Sequence, residues 1–122
     1  MTTSWDAPDE LRVSIWHFWP QAEWNNAAAI AQLESGFDAF ADNNTTNSAQ
    51  PCGTEIATVG GVAIYAEHSV GYFQINVCNY PDWVWQRLWN AYQNAGTAHA
   101  LWDSAGQKWT PWYESATKLG LI

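Results

Sequence analysis

Residues 30–44 read IAQLESGFDAFADNN, a stretch in which an apolar segment ends in glutamate, serine and glycine. Small and branched apolar residues share one stripe with Glu34 in a helix that we predict over residues 23–35. Because this helix is apolar on nearly every side, we expect it to be central and buried. Gly36 stands where a left-handed C-terminal cap would fall. The sequence therefore predicts a glutamate in the last turn of a buried helix.

Two physical effects favour the protonated form of a glutamate in that position. Partial burial disfavours a charged carboxylate. The negative end of the helix dipole adds to this effect, because Glu34 is in the final turn. A carboxylic acid that keeps its proton near neutral pH can donate it to a leaving group. We therefore take Glu34 as a candidate general acid, although a lone glutamate at a helix end more often only faces solvent.

A β-rich region follows a polar loop rich in turn-forming residues. Residues 54–67, TEIATVGGVAIYAE, predict two antiparallel strands joined by the Gly60-Gly61 turn. This register pairs Val59 with Val62 and Ile56 with Tyr65. Residues 68–77, HSVGYFQINV, predict a third strand or an irregular crossing segment.

Polar residues alternate with apolar ones near the end of that third segment. Gln74 and Asn76 alternate with phenylalanine, isoleucine and valine, so one face of the predicted strand is polar. If that face lines a cleft, its amides can hydrogen-bond a ligand. The alternative is a strand edge that faces solvent.

Helices dominate the rest of the chain. We predict them over residues 9–19, 81–95, 97–105 and 110–120 from apolar periodicity and from prolines near the starts. Helices on either side of a small antiparallel element make the fold class α+β. A length of 122 residues without repeats or linkers predicts a single domain, residues 1–122.

Composition excludes several classes of partner. The net charge is −8 with only four basic residues, which argues against binding to nucleic acid or to an anionic membrane surface. No apolar stretch is long enough to insert into a bilayer. The acidic start of the chain, MTTSWDAPDEL, lacks the pattern of a secretory leader. We therefore expect either an intracellular protein or one delivered by another route, such as release by a phage.

The cysteines and histidines leave one alternative open. Cys52 and Cys78 either form one disulfide or remain two buried thiols. The three histidines show no metal-ligand spacing with each other or with the cysteines, so we expect neither a metal nor a cofactor.

Three motifs together resemble the lysozyme-like superfamily, in its lytic transglycosylase and phage lysozyme (endolysin) branch. They are ESGF at residues 34–37, SVGYFQIN at residues 69–76, and the looser NAGTAHALWDSAGQKWTPW at residues 94–112. In that branch the first two motifs read roughly E-S-G-F and G-S-x-G-L-x-Q-I-N. Their order and spacing here make the resemblance more specific than either motif alone.

The resemblance implies a fold and a reaction. The fold would be lysozyme-like, mostly helical, with a small antiparallel β-hairpin lobe and a cleft between the lobes. The reaction would be bacteriolytic cleavage of peptidoglycan at the β-1,4 bond between N-acetylmuramic acid and N-acetylglucosamine, by a monomer. Glu34 would be the general acid and then the base. The expected substrate contacts are Ser69, Tyr72, Gln74, Asn76 and Trp109.

The resemblance leaves the second catalytic group open. Animal-type lysozymes carry an aspartate two residues before the motif glycine, where this chain has Ser69. Serine there is typical of lytic transglycosylases, which give 1,6-anhydro products. A second carboxylate could instead hold a water, and Glu67 is a better candidate than Asp38, Asp42 or Glu55 because it enters the motif strand. We favour hydrolysis; the alternatives are transglycosylation and an inactive wall-binding or virion protein.

Overall fold

The computed structural model describes residues 1–78 and 80–122 of the chain. Its helices are α1 (Asp9–Phe18), α2 (Trp24–Ser35), α3 (Asp82–Arg87), α4 (Ala91–Ser104) and α5 (Tyr113–Lys118), with short 3-10 turns at Ser4–Asp6, Gln21–Glu23 and Thr110–Trp112. Its strands are β1 (Asp42–Asn44), β2 (Glu55–Val59), β3 (Val62–Tyr65), β4 (His68–Val70) and β5 (Ile75–Asn76). This mixture of helices and small antiparallel sheets confirms the α+β class.

The first two helices form where the sequence predicts them. In α1, the side chains of Leu11 and Ile15 are fully buried, as helical spacing requires of a core-facing stripe. In α2, residues 27–31 are buried, and the helix ends at Gly36 with φ +63°. The Gly36 N–H donates to the carbonyl of Gln32, which completes the predicted left-handed cap.

The predicted hairpin is present, with one correction to its register. Strands β2 and β3 pair antiparallel around the two glycines, and Val59 faces Val62 as expected. Tyr65 faces Glu55, however, and not Ile56. A β-bulge between Glu55 and Ala57 causes this shift, because it leaves Ile56 as the extra residue on its strand.

Residues 68–77 do not form one strand. They fold as β4 and β5, which pair with each other across a tight turn at residues 71–74. Gly71 and Gln74 both have positive φ, at +79° and +50°, and these angles reverse the chain. The sheet order is β1-β4-β5, and β1 lies in the segment predicted as a loop. The prediction failed because β1 gains its partners only from residues about 26 positions later.

The C-terminal helices are divided differently from the prediction. The chain leaves helical conformation at Asn90, whose side chain accepts a hydrogen bond from the Gln93 N–H and so caps a new helix. Helix α4 then runs through Gly96 without a break. This glycine lies against the ring of Phe18, and an added Cβ would be 2.9 Å from it, so Gly96 serves helix packing.

An aromatic core joins the helices to the second β segment. The indoles of Trp19 and Trp109 stack with centroids 5.7 Å apart, and Trp19 also packs on Phe73 at 5.4 Å. Trp102 and Trp112 flank Trp109 in the same cluster. These rings fix the turn that carries Phe73 against the helical part of the molecule.

A disulfide between Cys52 and Cys78 links the loop before β2 to the segment after β5. The alternative of two free thiols is therefore wrong. The bond attaches the β2–β3 hairpin to the β1-β4-β5 sheet, and among the residues that the structure describes no strand pairing joins these two sheets. No helix within residues 1–78 and 80–122 combines the length and the apolar character needed to cross a bilayer.

Candidate active site

A cleft of about 590 Å³ separates the end of α2 and the C-terminal helices from the β1-β4-β5 sheet. Five of the seven predicted site residues line it: Glu34, Glu67, Ser69, Gln74 and Asn76. The two motifs that are more than thirty residues apart in sequence therefore meet at one site.

Glu34 is half-buried in the wall formed by α2. Its Oε2 accepts a hydrogen bond of 2.5 Å from the hydroxyl of Ser115, which is on α5. Burial raises the pKa of Glu34 above its usual value of 4.5, and the Ser115 hydrogen bond opposes that rise only in part. The carboxyl group is thus a weaker acid than an exposed glutamate and keeps its proton to higher pH.

Three charged groups act on Glu34 from the surrounding elements. The negative charges of Glu67 and Glu114 raise the pKa of Glu34, and the positive charge of Lys118 lowers it. Glu67 precedes β4 and is exposed, and Glu114 is on α5. Both also line the cleft. The site therefore combines one proton-retaining carboxyl group with two carboxylates open to solvent.

Polar side chains from all three strands form the opposite wall. Asn43 faces Ser69, and Ser69 faces Asn76, so these residues make one row across the sheet. All three line the cleft. Residues in register on adjacent strands present their side chains to the same face, about 5 Å apart. A row of amide and hydroxyl groups is suited to hydrogen-bond the acetamido and hydroxyl groups of a sugar chain.

Gln74 lines the cleft, but its amide is already committed. Its Oε1 accepts from the side chain of Asn43 at 2.5 Å, and its Nε2 donates to the carbonyls of Ala41 (3.2 Å) and Gly71 (3.0 Å). Gln74 therefore holds the turn of the motif against β1. The expected alternation of Gln74 and Asn76 along one strand does not occur, because Gln74 belongs to the turn.

Tyr72 and Trp109 are not at the cleft, which corrects their prediction as substrate contacts. Tyr72 is 3% exposed, and its hydroxyl donates to Glu10 on α1 at 2.6 Å. Trp109 is also 3% exposed, and its indole N–H donates to Glu23 at 2.9 Å. Each aromatic ring packs inward, and its polar atom is satisfied by a glutamate side chain.

The remaining carboxylates proposed as helpers lie outside the cleft wall. Asp42 pairs with the ring of His68 at 2.6 Å, Asp38 accepts from the Phe40 N–H, and Glu55 accepts from Thr58. Each of these bonds serves local structure. Glu67 is therefore the one of the four candidates that the structure brings to Glu34.

Sequence reasoning missed a group that supports the site from below. Asn94 is fully buried and donates to the carbonyls of Val70 (3.1 Å) and Leu88 (2.9 Å) while it accepts from the Phe73 N–H (2.9 Å). It thereby clamps both ends of the turn after β4. Its place in the third motif was a signal for it, but the motif alone did not give this role.

Two further residues of the site were also missed, Asn43 in the cleft and Ser115 beside Glu34, whereas Trp112 ends the third motif. Trp112 lines the cleft and donates its indole N–H to the carbonyl of Phe73 at 2.7 Å. Asn43 was placed in a loop, and Ser115 stood in an unremarkable helix. No local pattern marks the last two, because each meets Gln74 or Glu34 only through the fold.

Comparison of the chain with protein-family models, curated proteins and solved structures gives no match. An assignment of function therefore rests on the geometry of the cleft and on the motifs that meet in it.

Proposed function

We propose that this chain is a peptidoglycan-cleaving muramidase with a lysozyme-like fold. The observation that carries the proposal is Glu34: a half-buried carboxyl with a raised pKa that faces a row of polar side chains across a cleft. The cleft lies between a helical part and a small β part, as in the fold that the motifs resemble. The substrate would be the glycan strand of the bacterial wall.

In this mechanism Glu34 donates its proton to the bridging oxygen as the bond from C1 of N-acetylmuramic acid breaks. The leaving N-acetylglucosamine departs with a free 4-hydroxyl, and positive charge develops at the sugar ring. Raising the pKa of Glu34 by burial prepares this step, because the proton is still present near neutral pH. Water then attacks C1 and gives up a proton to a carboxylate.

Glu67 is the carboxylate that we assign to activate this water. It lines the same cleft as Glu34, and it is exposed, so it is well hydrated. An ionised carboxylate on the face opposite the acid is the arrangement of inverting glycosidases. Other carboxylates of the β part are held in local hydrogen bonds, as described above.

Ser69 favours a second candidate, a lytic transglycosylase. It is 5% exposed and faces the cleft at the position where animal-type lysozymes have an aspartate. Without a nucleophile there, the 6-hydroxyl of the muramic acid residue can attack C1 and pass its proton to the carboxylate of Glu34. The product is then a 1,6-anhydro sugar, and no water is consumed.

The test is clearing of a turbid suspension of purified cell walls. We expect the wild type to clear the walls and Glu34→Gln to abolish clearing without lowering the melting temperature. Glu55→Gln is a matched control, because Glu55 is an exposed glutamate whose hydrogen bond is to Thr58 on the hairpin. Walls that are bound but never cleared by the wild type would refute the enzyme and favour a wall-binding protein.

Mass spectra of the released fragments separate the two reactions. Hydrolysis gives fragments with a reducing end, and transglycosylation gives fragments lighter by one water. We expect Glu67→Gln to suppress the hydrolytic product strongly. If that variant releases the same fragments at the wild-type rate, Glu67 has no part in the reaction.

A further inference from the structure

Ser115 is the one hydrogen-bond partner of the Glu34 carboxyl within residues 1–78 and 80–122. It is 5% exposed and projects from the short helix α5, so water has little access to its hydroxyl. The bond joins residues 81 positions apart in sequence, at 2.5 Å between Ser115 Oγ and Glu34 Oε2. A hydroxyl that donates to a carboxyl oxygen favours the charged form of that carboxyl group, and the bond from Ser115 accordingly lowers the pKa of Glu34.

The hydrogen bond engages one of the two oxygens of the Glu34 carboxyl group. Oε2 accepts from the serine, which leaves Oε1 as the atom without a described partner. Glu34 lines the cleft, so its carboxyl group is accessible to a ligand there. A side chain with one anchored oxygen loses less rotamer freedom when the substrate binds.

We propose that Ser115 is a positioning residue that orients the Glu34 carboxyl and stabilises the carboxylate formed when Glu34 gives up its proton. This inference depends on the proposed function for its consequence in catalysis, but the hydrogen bond itself can be tested without any substrate. The role goes beyond packing, because a donor that stabilises the charged form acts on the proton-transfer step itself.

Other charged groups face Glu34, and the test must separate them from Ser115. They are Glu67 from the segment before β4, and Glu114 and Lys118 from α5. Replacing the serine leaves these three charges unchanged. A change in the titration of Glu34 after that replacement therefore reports the hydroxyl group.

Ser115→Ala removes one hydroxyl from a buried position. Because the lost bond favoured the charged form, we expect the pKa of Glu34 to rise further in this variant. The alkaline limb of the activity profile then moves to higher pH. We expect kcat at the optimum to fall about tenfold, because a weaker acid protonates the leaving oxygen less readily, and KM to stay close to the wild-type value.

The first measurement is a titration of the side-chain carboxyl carbons by NMR in the absence of substrate. The Glu34 resonance is identified as the one that disappears in Glu34→Gln. Ser14→Ala is a matched control: Ser14 is also 5% exposed, and its hydroxyl donates to the carbonyl of Glu10 within α1. Ser115→Thr restores the hydroxyl and should return the titration toward that of the wild type.

The possible outcomes decide the question separately for the serine and for the enzyme. A Glu34 titration that moves up in Ser115→Ala, stays in Ser14→Ala and returns in Ser115→Thr supports the role of Ser115, whether or not walls are cleared. An unchanged Glu34 titration in Ser115→Ala overturns the role. In an active protein, a uniform loss of rate with no movement of the alkaline limb also overturns it. Failure of the wild type to clear walls refutes only the proposed function.

Discussion

Replacing Gly71 by alanine should lower the free energy of unfolding more than replacing any other glycine of the chain by alanine. A Cβ at this position would be 2.2 Å from Nδ2 of Asn94 and 2.6 Å from the carbonyl oxygen of Leu88. Neither neighbour can give way easily, since one is backbone and the other is a fully buried side chain. Gly71 also has φ +79°, which L-residues rarely adopt.

The magnitude follows from these two costs. A left-handed alanine costs about 1–2 kcal/mol of conformational strain. Displacing Asn94 breaks its three hydrogen bonds to the turn and to Leu88, and each buried group left unpaired costs about 1–3 kcal/mol. We therefore expect Gly71→Ala to lose about 4 kcal/mol or more, which is a large part of the stability of a typical domain.

Gly106→Ala separates strain from steric overlap. Gly106 has nearly the same φ, +74°, but an added Cβ there would meet nothing within 4 Å. We expect this control to lose only the strain, about 1–2 kcal/mol. Urea denaturation, followed by tryptophan fluorescence, gives both free energies of unfolding. If Gly71→Ala loses no more than Gly106→Ala, the clamp around the turn does not have the rigidity that its contacts suggest.

Three further predictions concern the charge of Glu34, the disulfide and the buried indole of Trp109. The pKa of Glu34 is raised in the folded protein above its usual value of 4.5, so the stability that its protonated form contributes is full below pH 4.5 and is lost as the pH rises through the folded pKa. Glu34→Gln should therefore melt at a higher temperature than the wild type at pH 7, and this difference should vanish under acid conditions. Equal melting curves at pH 7 would contradict the prediction. Replacing both Cys52 and Cys78 by serine should lower the free energy of unfolding, measured by urea denaturation, by about 3 kcal/mol, because the disulfide closes a loop with a sequence separation of 26. An unchanged urea midpoint would show that the disulfide does not restrain the unfolded chain. Trp109→Phe should lower the free energy of unfolding by about 1–3 kcal/mol, because Glu23 loses the hydrogen bond from the indole N–H, while the rate of wall clearing stays near that of the wild type. A loss of clearing without a loss of stability would show that Trp109 contacts the substrate.

The parts of the fold that depend on residues adjacent in sequence could be predicted from the sequence. Helix α2 and its cap follow from an apolar run ended by Gly36, and the hairpin turn follows from two consecutive glycines. Strand β1 could not be predicted in this way. Its residues are polar turn formers that become a strand only because β4 pairs with them.

The candidate site shows the same division at the level of single atoms. The motif order predicted that Glu34 and Ser69 would meet at one cleft, and both residues line it. It did not reveal that both polar atoms of the Gln74 amide are engaged in holding the turn to β1.

The acid strength of Glu34 depends in part on a group that no local pattern could assign. Its position at the end of a buried helix predicted a carboxyl group that keeps its proton, and burial is indeed the largest cause of the raised pKa. The strongest opposing effect comes from Ser115, a small residue on a short helix near the end of the chain. In the proposed reaction a general acid must both hold its proton and release it, and burial of Glu34 favours only the first of these. We expect the hydroxyl of Ser115 to favour the second, because its hydrogen bond stabilises the charged form as the proton leaves.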